Sequence, residues 1–324
     1  MVVFEPEEGR AYWFRYTILA PLPGVATTPA ATLWAAFFDL GRPEPVAFKR
    51  ILPLGAFDRG PRDRFSIGLG SARLGHGHCS GEGTVGSRRY AWDLRFTPAG
   101  APERLEPPLL RLLPLPAHVT RPNAHVAFEG VVTVDGEQRP IARAPGLQFH
   151  TWGTRLPEDI RWLRCPRFAE DESARLEALS VRLARRLLGG LPAPWLSAIS
   201  LHIGAGEIRS RGRASDGAGE LAFHGETWRH GIHVRAWCHP RMLTGYVYRD
   251  PHGREHHVAQ TDVGSCEVAI RSRLHPLARW GDTRRLTNRG STAIEFHAPE
   301  PLPGVRYIAW DAERLRSLSR DGPE

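Results

Sequence analysis

The segment Tyr90–Phe96, which reads YAWDLRF, decides the fold class more clearly than any other stretch of the chain. Large apolar side chains occupy every second position of this segment, and Ala91, Asp93 and Arg95 lie between them. Because successive side chains of a β-strand point to opposite faces, this alternation predicts a strand with one buried face.

The same alternation recurs on both sides of this segment. It is seen before the turn Asp135-Gly136, in Val126–Val134, and in the second half of the chain, in Ile232–Ala236, Leu243–Val247 and Cys266–Ile270. Glycine and proline interrupt these runs at short intervals, as is typical of antiparallel sheets and barrels. The 324 residues exceed one ordinary domain. The sequence therefore predicts an all-β protein with two consecutive barrels.

One segment departs from this pattern and predicts a helix. Within Glu172–Leu188 the leucines at 176, 179, 183 and 187 recur at steps of three and four, and the arginines at 175, 182, 185 and 186 mark a polar side. Asp171 or Ser173 can cap its start, and Gly189-Gly190 can end it. We therefore expect residues 1–155 to form the first barrel, 156–195 a linker with this amphipathic helix, and 196–324 the second barrel. A helix this basic could also lie on a membrane surface.

Composition and charge narrow the class of partner. The formal net charge is +8, but Lys49 is the only lysine, and the arginines are dispersed rather than interleaved with aromatic residues. This distribution does not favour nucleic-acid binding. No apolar run is long enough to span a membrane, and the acidic N-terminus lacks the features of a signal peptide. We expect a cytoplasmic protein whose membrane contact, if it has one, is peripheral.

Metals and cofactors are not indicated by the sequence. The four cysteines are far apart and form no C-x-x-C pair, which predicts free and mostly buried thiols. His76, His78 and Cys79, and the pair His256-His257, supply too few converging ligands for zinc. The glycine-rich stretch 68–86 lacks the Gly-Lys-Ser/Thr of a phosphate loop.

The centre of the chain resembles a known family. Residues 150–168 read HTWGTRLPEDIRWLRCPRF. This stretch resembles the central signature of the tocopherol cyclase-like proteins, in the positions Trp152, Gly153, Pro157, Trp162, Cys165 and Phe168. Shorter segments that resemble the same family are Tyr12–Arg15, Trp92–Leu94 and Ala293–Glu295. The wider superfamily includes carotenoid hydratases, AttH-like proteins and fungal pericyclases. The resemblance implies two lipocalin-like antiparallel barrels with ligand cavities, and hydration or cyclisation of an isoprenoid alkene without a cofactor.

Such chemistry requires a proton donor in an apolar cavity, either a protonated carboxyl or an imidazolium. Three candidates are close to aromatic residues: His150 near Trp152, Asp39 at the end of the strand Trp34–Phe38, and Glu226 near Trp228. Each has a structural alternative, namely a hydrogen-bonded core histidine, a turn-forming aspartate and a solvated strand residue. The candidate ligand-binding residues, whose aromatic faces could stabilise a cation, are Trp13, Arg15, Trp34, Trp92, Trp152 and Trp228.

Two functional hypotheses remain open, and both have a hydrophobic isoprenoid or polyene-like small molecule as the partner. The protein is either a cofactor-independent cyclase or hydratase, or a carrier that binds its ligand unchanged. A third alternative is a structural lipocalin-like protein whose barrels are filled by side chains. A carboxyl or imidazole buried beside the ligand, with a shifted pKa, would favour the enzyme.

Overall fold

The computed structural model describes residues 1–61, 65–98, 103–104, 116–186 and 190–308, which form two β-sheets. The strands of the first sheet are β1 (Val2–Glu5), β2 (Arg10–Leu19), β3 (Ala30–Asp39), β4 (Val46–Pro53), β5 (Phe57–Asp58), β6 (Ser66–Leu69), β7 (Ala72–Gly75), β8 (His78–Val85), β9 (Arg88–Phe96), β10 (Glu103–Arg104), β11 (Ala117–Val134) and β12 (Glu137–Gly153). They pair in the order β4-β3-β2-β1-β12-β11-β9-β8-β7-β6-β5, and β10 pairs with β11. The predicted strand Tyr90–Phe96 is confirmed as most of β9.

The second sheet contains β13 (Asp159–Cys165), β14 (Arg175–Arg182), β15 (Leu196–Ile203), β16 (Gly206–Gly217), β17 (Glu220–Glu226), β18 (His230–Trp237), β19 (Thr244–Arg249), β20 (Glu255–Ser272), β21 (Arg284–Ala298) and β22 (Arg306–Ile308). Eight of these strands, β13–β18, β20 and β21, close into a barrel because β18 pairs with both β17 and β20. Strands β19 and β22 extend the sheet beyond the first half of β20. The chain therefore has the predicted all-β fold with two barrel-like sheets.

Both barrel interiors are filled by side chains. In the first, Trp92 stacks on Phe14 with ring centroids 4.3 Å apart, and the indole Nε1 donates to the Tyr16 hydroxyl at 3.0 Å. In the second, Leu176, Phe223 and other apolar residues form a continuous buried core. The ligand cavities that the family resemblance implies are thus not found within the described barrel cores. A recess of about 360 Å³ does open at one end of the second barrel.

The glycine-rich stretch of the first barrel provides room for its aromatic core. A Cβ on Gly81 would lie 2.3 Å from the ring of Trp92, and one on Gly83 would lie 2.2 Å from the ring of Phe48. Small residues on β8 therefore allow large rings from β4 and β9 to meet inside the barrel.

Replacing Gly81 by Ala is expected to destabilise the protein by about 1–3 kcal/mol, because the stacked and hydrogen-bonded Trp92 ring must move. Urea unfolding measures the change. The matched control is Gly217→Ala, where an added Cβ meets no atom within 4 Å. Equal unfolding midpoints for the two variants would show that the Trp92 ring is not tightly held.

The predicted helix at 172–188 is wrong. Residues Arg175–Arg182 form β14, which pairs with β13 and β15, and residues 187–189 lie outside the described part of the chain. Leu176 faces the second barrel core, whereas Leu179 packs towards the first barrel. A strand buried on both faces loses its alternation, so its leucines can mimic a helical period. Asp171 does not cap a helix; its Oδ1 accepts backbone N–H bonds from Ser173 and Ala174, which makes a local turn instead.

Candidate active site between the barrels

The two barrels meet through a layer that buries the outer faces of several strands. Trp13 on β2 and Trp34 on β3 point away from the first barrel core and pack against the second barrel. The facing side chains come from β19, β20 and β21 of the second barrel, and include Tyr246 and Val258. Because side chains alternate along a strand, β2 and β3 can bury aromatic residues on both faces.

Aromatic rings dominate this layer. The rings of Trp13 and Tyr246 have centroids 4.8 Å apart, and Trp34 makes edge-to-face contacts with Tyr246 and Tyr248 at 5.8 and 5.3 Å. The guanidinium of Arg15 lies 4.1 Å from the centroid of the Tyr248 ring. Burial raises the pKa of the Tyr248 phenol to about 12, so this ring remains uncharged at neutral pH. One aromatic face of the layer, that of Tyr248, thus already holds a cation, the guanidinium of Arg15.

A fully buried carboxyl lies in this layer at a distortion of β20. Asp262 and Val263 stand opposite the single residue Ala293 of β21, which is a β-bulge. Gln260 Nε2 donates to both carboxyl oxygens of Asp262, at 3.0 and 2.9 Å. Burial raises the pKa of Asp262 to about 7, against the opposing effect of the Gln260 hydrogen bonds. This carboxyl is therefore partly protonated at neutral pH.

A second carboxyl stands next to Gln260. Glu295 on β21 is the direct cross-strand partner of Gln260 on one side and of Trp162 on the other. Burial raises the pKa of Glu295, while the nearby positive charge of Arg15 lowers it. The charge of Glu295 in turn helps to raise the pKa of Asp262. The carbonyl oxygen of Gln260 is buried and has no hydrogen-bond partner among the described residues, so it is available to accept from a water or a substrate hydroxyl.

A separate charged cluster fixes how the barrels are joined. Glu177 on β14 accepts from Arg164 Nη1 at 2.8 Å and from Trp162 Nε1 at 3.1 Å, and it also pairs with Arg121 of the first barrel. Arg164 Nη2 reaches across to the Ala124 carbonyl at 2.9 Å. This cluster carries two cations for one carboxylate and lies almost entirely out of water.

Three of the residues proposed from the sequence come together between the barrels: Trp13, Arg15 and Trp34. Trp92 lies inside the first barrel as part of its core. The structure does not bring the other proposed residues to this layer. Trp152 is 44% exposed, and His150 packs against it at the surface with ring centroids 5.1 Å apart. Partial burial of the imidazole lowers the pKa of His150, which disfavours the imidazolium that a proton donor would need.

The two carboxylates proposed from the sequence also lie elsewhere. Asp39 is at the rim of the first barrel, in ion pairs with Arg10, Arg42 and Arg139, and its Oδ1 accepts from the Gly41 backbone N–H. Asp39 therefore has the turn-forming role that the sequence analysis gave as its structural alternative. Glu226 is exposed at the end of β17, 3.9 Å from Arg273, and the neighbouring Trp228 is 53% exposed. Both carboxylates are therefore paired with arginines.

Asp262, Gln260, Tyr246 and Tyr248 were missed by sequence reasoning. The alternation Leu243–Val247 correctly marks one buried face of β19, but Tyr246 and Tyr248 show that its other face is buried too. In Val258–Cys266, Asp262 is the only charged residue. A lone carboxyl in this otherwise uncharged part of β20 was the signal available in the sequence.

Within the described ranges, no group of three or more His, Cys, Asp or Glu residues is arranged to hold a metal ion. Over the same residues, no helix is long and apolar enough to cross a bilayer. All four cysteines are free and three are buried, as predicted.

Comparisons with known proteins show an architecture shared at low sequence identity. An AttH-type protein from Nitrosomonas europaea matches with a TM-score of 0.52 at 10% identity, over 88% of this chain and 86% of that one. Kievitone hydratase from Nectria haematococca matches with a TM-score of 0.54 at 9% identity, over 89% of this chain and 83% of that one. No family profile and no curated protein sequence matches the chain. At these identities the likeness shows the fold alone: this is a double-barrel protein of the architecture found in AttH-type proteins and in a hydratase.

Proposed function

We propose that the protein is a cofactor-independent enzyme that hydrates or cyclises an alkene of a hydrophobic substrate between its two barrels, with Asp262 as the proton donor. The observation that carries this proposal is a fully buried carboxyl with a pKa of about 7 beside an aromatic layer. A kievitone hydratase with the same architecture, and the resemblance of Trp152–Phe168 to tocopherol cyclase-like proteins, support it at the level of fold and motif.

The proposed reaction uses only groups of this chain, the substrate and water. The protonated Asp262 gives its proton to one alkene carbon, which leaves a carbocation on the substrate and a carboxylate on Asp262. The faces of Trp13, Trp34 and Tyr246 stabilise the cation. In hydration, a water held by the Gln260 carbonyl adds to the cation and returns a proton to the Asp262 carboxylate. In cyclisation, a phenol oxygen of the substrate adds in place of water. The site regains its proton in either case.

The pH dependence follows from the pKa of Asp262. Because the acid form is the reactive one, the rate constant is expected to fall by about tenfold per pH unit above pH 7. The assay uses a panel of prenylated phenols and linear polyenes in ¹⁸O-labelled water, so that hydration adds one labelled oxygen and cyclisation gives an isomer without label. A rate that increases from neutral to alkaline pH would contradict Asp262 as the donor.

A carrier function is the second candidate, and the recess at the end of the second barrel supports it. Ile203, Ile208 and Ile270 line its apolar part, and His230 and Ser272 lie at its edge with Nδ1 and Oγ 3.0 Å apart. Binding of the same panel without turnover, abolished by Ile203→Arg and unaffected by Asp262→Asn, would favour the carrier.

A further inference from the structure

The loop 273–283 presents the most exposed apolar side chains of the described chain. Leu274 is 90% exposed and Leu277 is 91% exposed, whereas no other large hydrophobic residue in the described ranges exceeds 66%. The loop joins β20 to β21 at the open end of the second barrel, beside the hairpin that carries Trp228. Arg273 Nε donates to the Trp228 carbonyl at 2.6 Å and ties the loop to this hairpin.

The exposure of the leucines is built into the loop. The Ala278 N–H donates to the His275 carbonyl at 2.9 Å, and the Gly281 N–H donates to the Ser272 carbonyl at 2.9 Å. The loop's own aromatic residue, Trp280, is turned inward under the guanidinium of Arg273, 4.3 Å from the ring centroid. The hydrogen bonds therefore hold a fixed turn that directs two leucines into solvent while it covers the tryptophan.

The charge around the leucines is positive. The guanidinium groups near the leucines are those of Arg273 and Arg279 in the loop, Arg271 at the end of β20 and Arg229 in the adjacent hairpin, and the acidic residues beside them are Glu226 and Asp282. The whole chain carries a net charge of +8. Exposed leucines surrounded by arginines are the combination by which peripheral proteins bind the interface of an anionic bilayer.

We propose that this loop is a membrane-docking element that places Leu274 and Leu277 at the boundary between the headgroups and acyl chains of an anionic lipid surface. The surrounding arginines contact the lipid phosphates. The recess lined by Ile203, Ile208 and Ile270 opens at the same end of the barrel and faces the bilayer in the docked state.

Vesicle co-sedimentation of the full chain tests the proposal. The probes are vesicles of phosphatidylcholine and phosphatidylglycerol in equal parts, and vesicles of phosphatidylcholine alone. Wild-type protein is expected to bind the anionic vesicles and to be released by salt. The double variant Leu274→Ser, Leu277→Ser is expected to bind them at least about tenfold more weakly. Because both leucines are exposed, the melting temperature should not change.

The matched control is the double variant Leu191→Ser, Leu196→Ser, which changes two exposed leucines at the opposite end of the same barrel. It is expected to bind as wild type does. If only this control lost binding, the docking surface would be at the opposite end of the barrel, and the proposal would be wrong. The proposal would also be overturned if wild type bound neither vesicle, or if the loop leucines were needed for a dimer in gel filtration rather than for vesicle binding.

Discussion

Replacing Asp262 by Asn is expected to reduce turnover by about 10²–10⁴-fold while leaving the fold intact, because asparagine cannot supply the proton that the alkene requires. Asparagine has nearly the same shape and can still accept from Gln260 Nε2, so the aromatic layer should not rearrange. The measurement is turnover of whichever panel compound wild type converts. The control is Asp93→Asn, which changes a 70% exposed carboxylate on the outer face of β9 and should leave turnover unchanged.

Although it lowers turnover, the same substitution is expected to increase the free energy of unfolding relative to wild type as pH rises. The pKa of Asp262 is about 7 in the folded protein, above its ordinary value of 3.8, so the folded state binds more protons between these values. Stability that depends on this carboxyl is therefore present at low pH and is lost as pH rises through 7. Relative to wild type, Asp262→Asn should gain about 4 kcal/mol in free energy of unfolding between pH 4 and pH 8.

Urea unfolding at several pH values measures this gain. A variant that is less active yet more stable at alkaline pH has the signature of a functional buried carboxyl, since a merely structural residue would lose stability on replacement. If Asp262→Asn were destabilised equally at pH 4 and pH 8, Asp262 would be an ordinary ionised carboxylate, and its role as an acid would fail.

Replacing Glu177 by Gln is expected to destabilise the protein by about 3–5 kcal/mol, because it removes the negative charge that the buried guanidinium groups of Arg121 and Arg164 share. The adjacent His125 cannot replace the lost negative charge. Burial, together with the charge of Arg164, lowers the pKa of His125 to about 2, so this imidazole is neutral and accepts from Arg164 Nη2 at 2.6 Å.

Urea unfolding of Glu177→Gln and of Glu220→Gln gives a matched comparison. Glu220 on β17 also pairs with an arginine on the neighbouring strand β18, since Arg235 Nε lies 2.7 Å from Glu220 Oε1. The Glu220 side chain, however, is 45% exposed. Its replacement should cost less than about 1 kcal/mol. Similar losses for the two variants would mean that the cluster around Glu177 is solvated, and that the junction between the barrels is looser than the structure shows.

The strand pattern and the two-barrel architecture were predictable because most strands have one apolar face, as Tyr90–Phe96 does. Strands that lie between the barrels were harder to predict. On β14 the buried residues fall on both faces, and the leucines at 176 and 179 gave a false helical period. On β20 the bulge at Asp262 and Val263 shifts the alternation within the strand itself.

The candidate site was only partly predictable for the same reason. Trp13, Arg15 and Trp34 could be named from their aromatic strands, but their partners come from β19–β21, more than 200 residues away in the chain. Only the packing of one barrel on the other brings the carboxyls of Asp262 and Glu295 to those rings. The sequence-based choices His150, Asp39 and Glu226 followed local proximity to aromatic residues, and each of them lies at the surface or at a barrel rim.

The most direct test of the central claim is the titration of Asp262 itself, which needs no substrate. Infrared difference spectra of wild type minus Asp262→Asn, recorded from pH 4 to pH 9, isolate the carboxyl stretching band of this one group. A protonated-carboxyl band that disappears with a midpoint near pH 7 is the predicted result. The absence of this band at and above pH 5, as an ordinary pKa of 3.8 would give, would contradict it, because an acid ionised throughout the neutral range cannot donate the proton on which the proposed reaction depends.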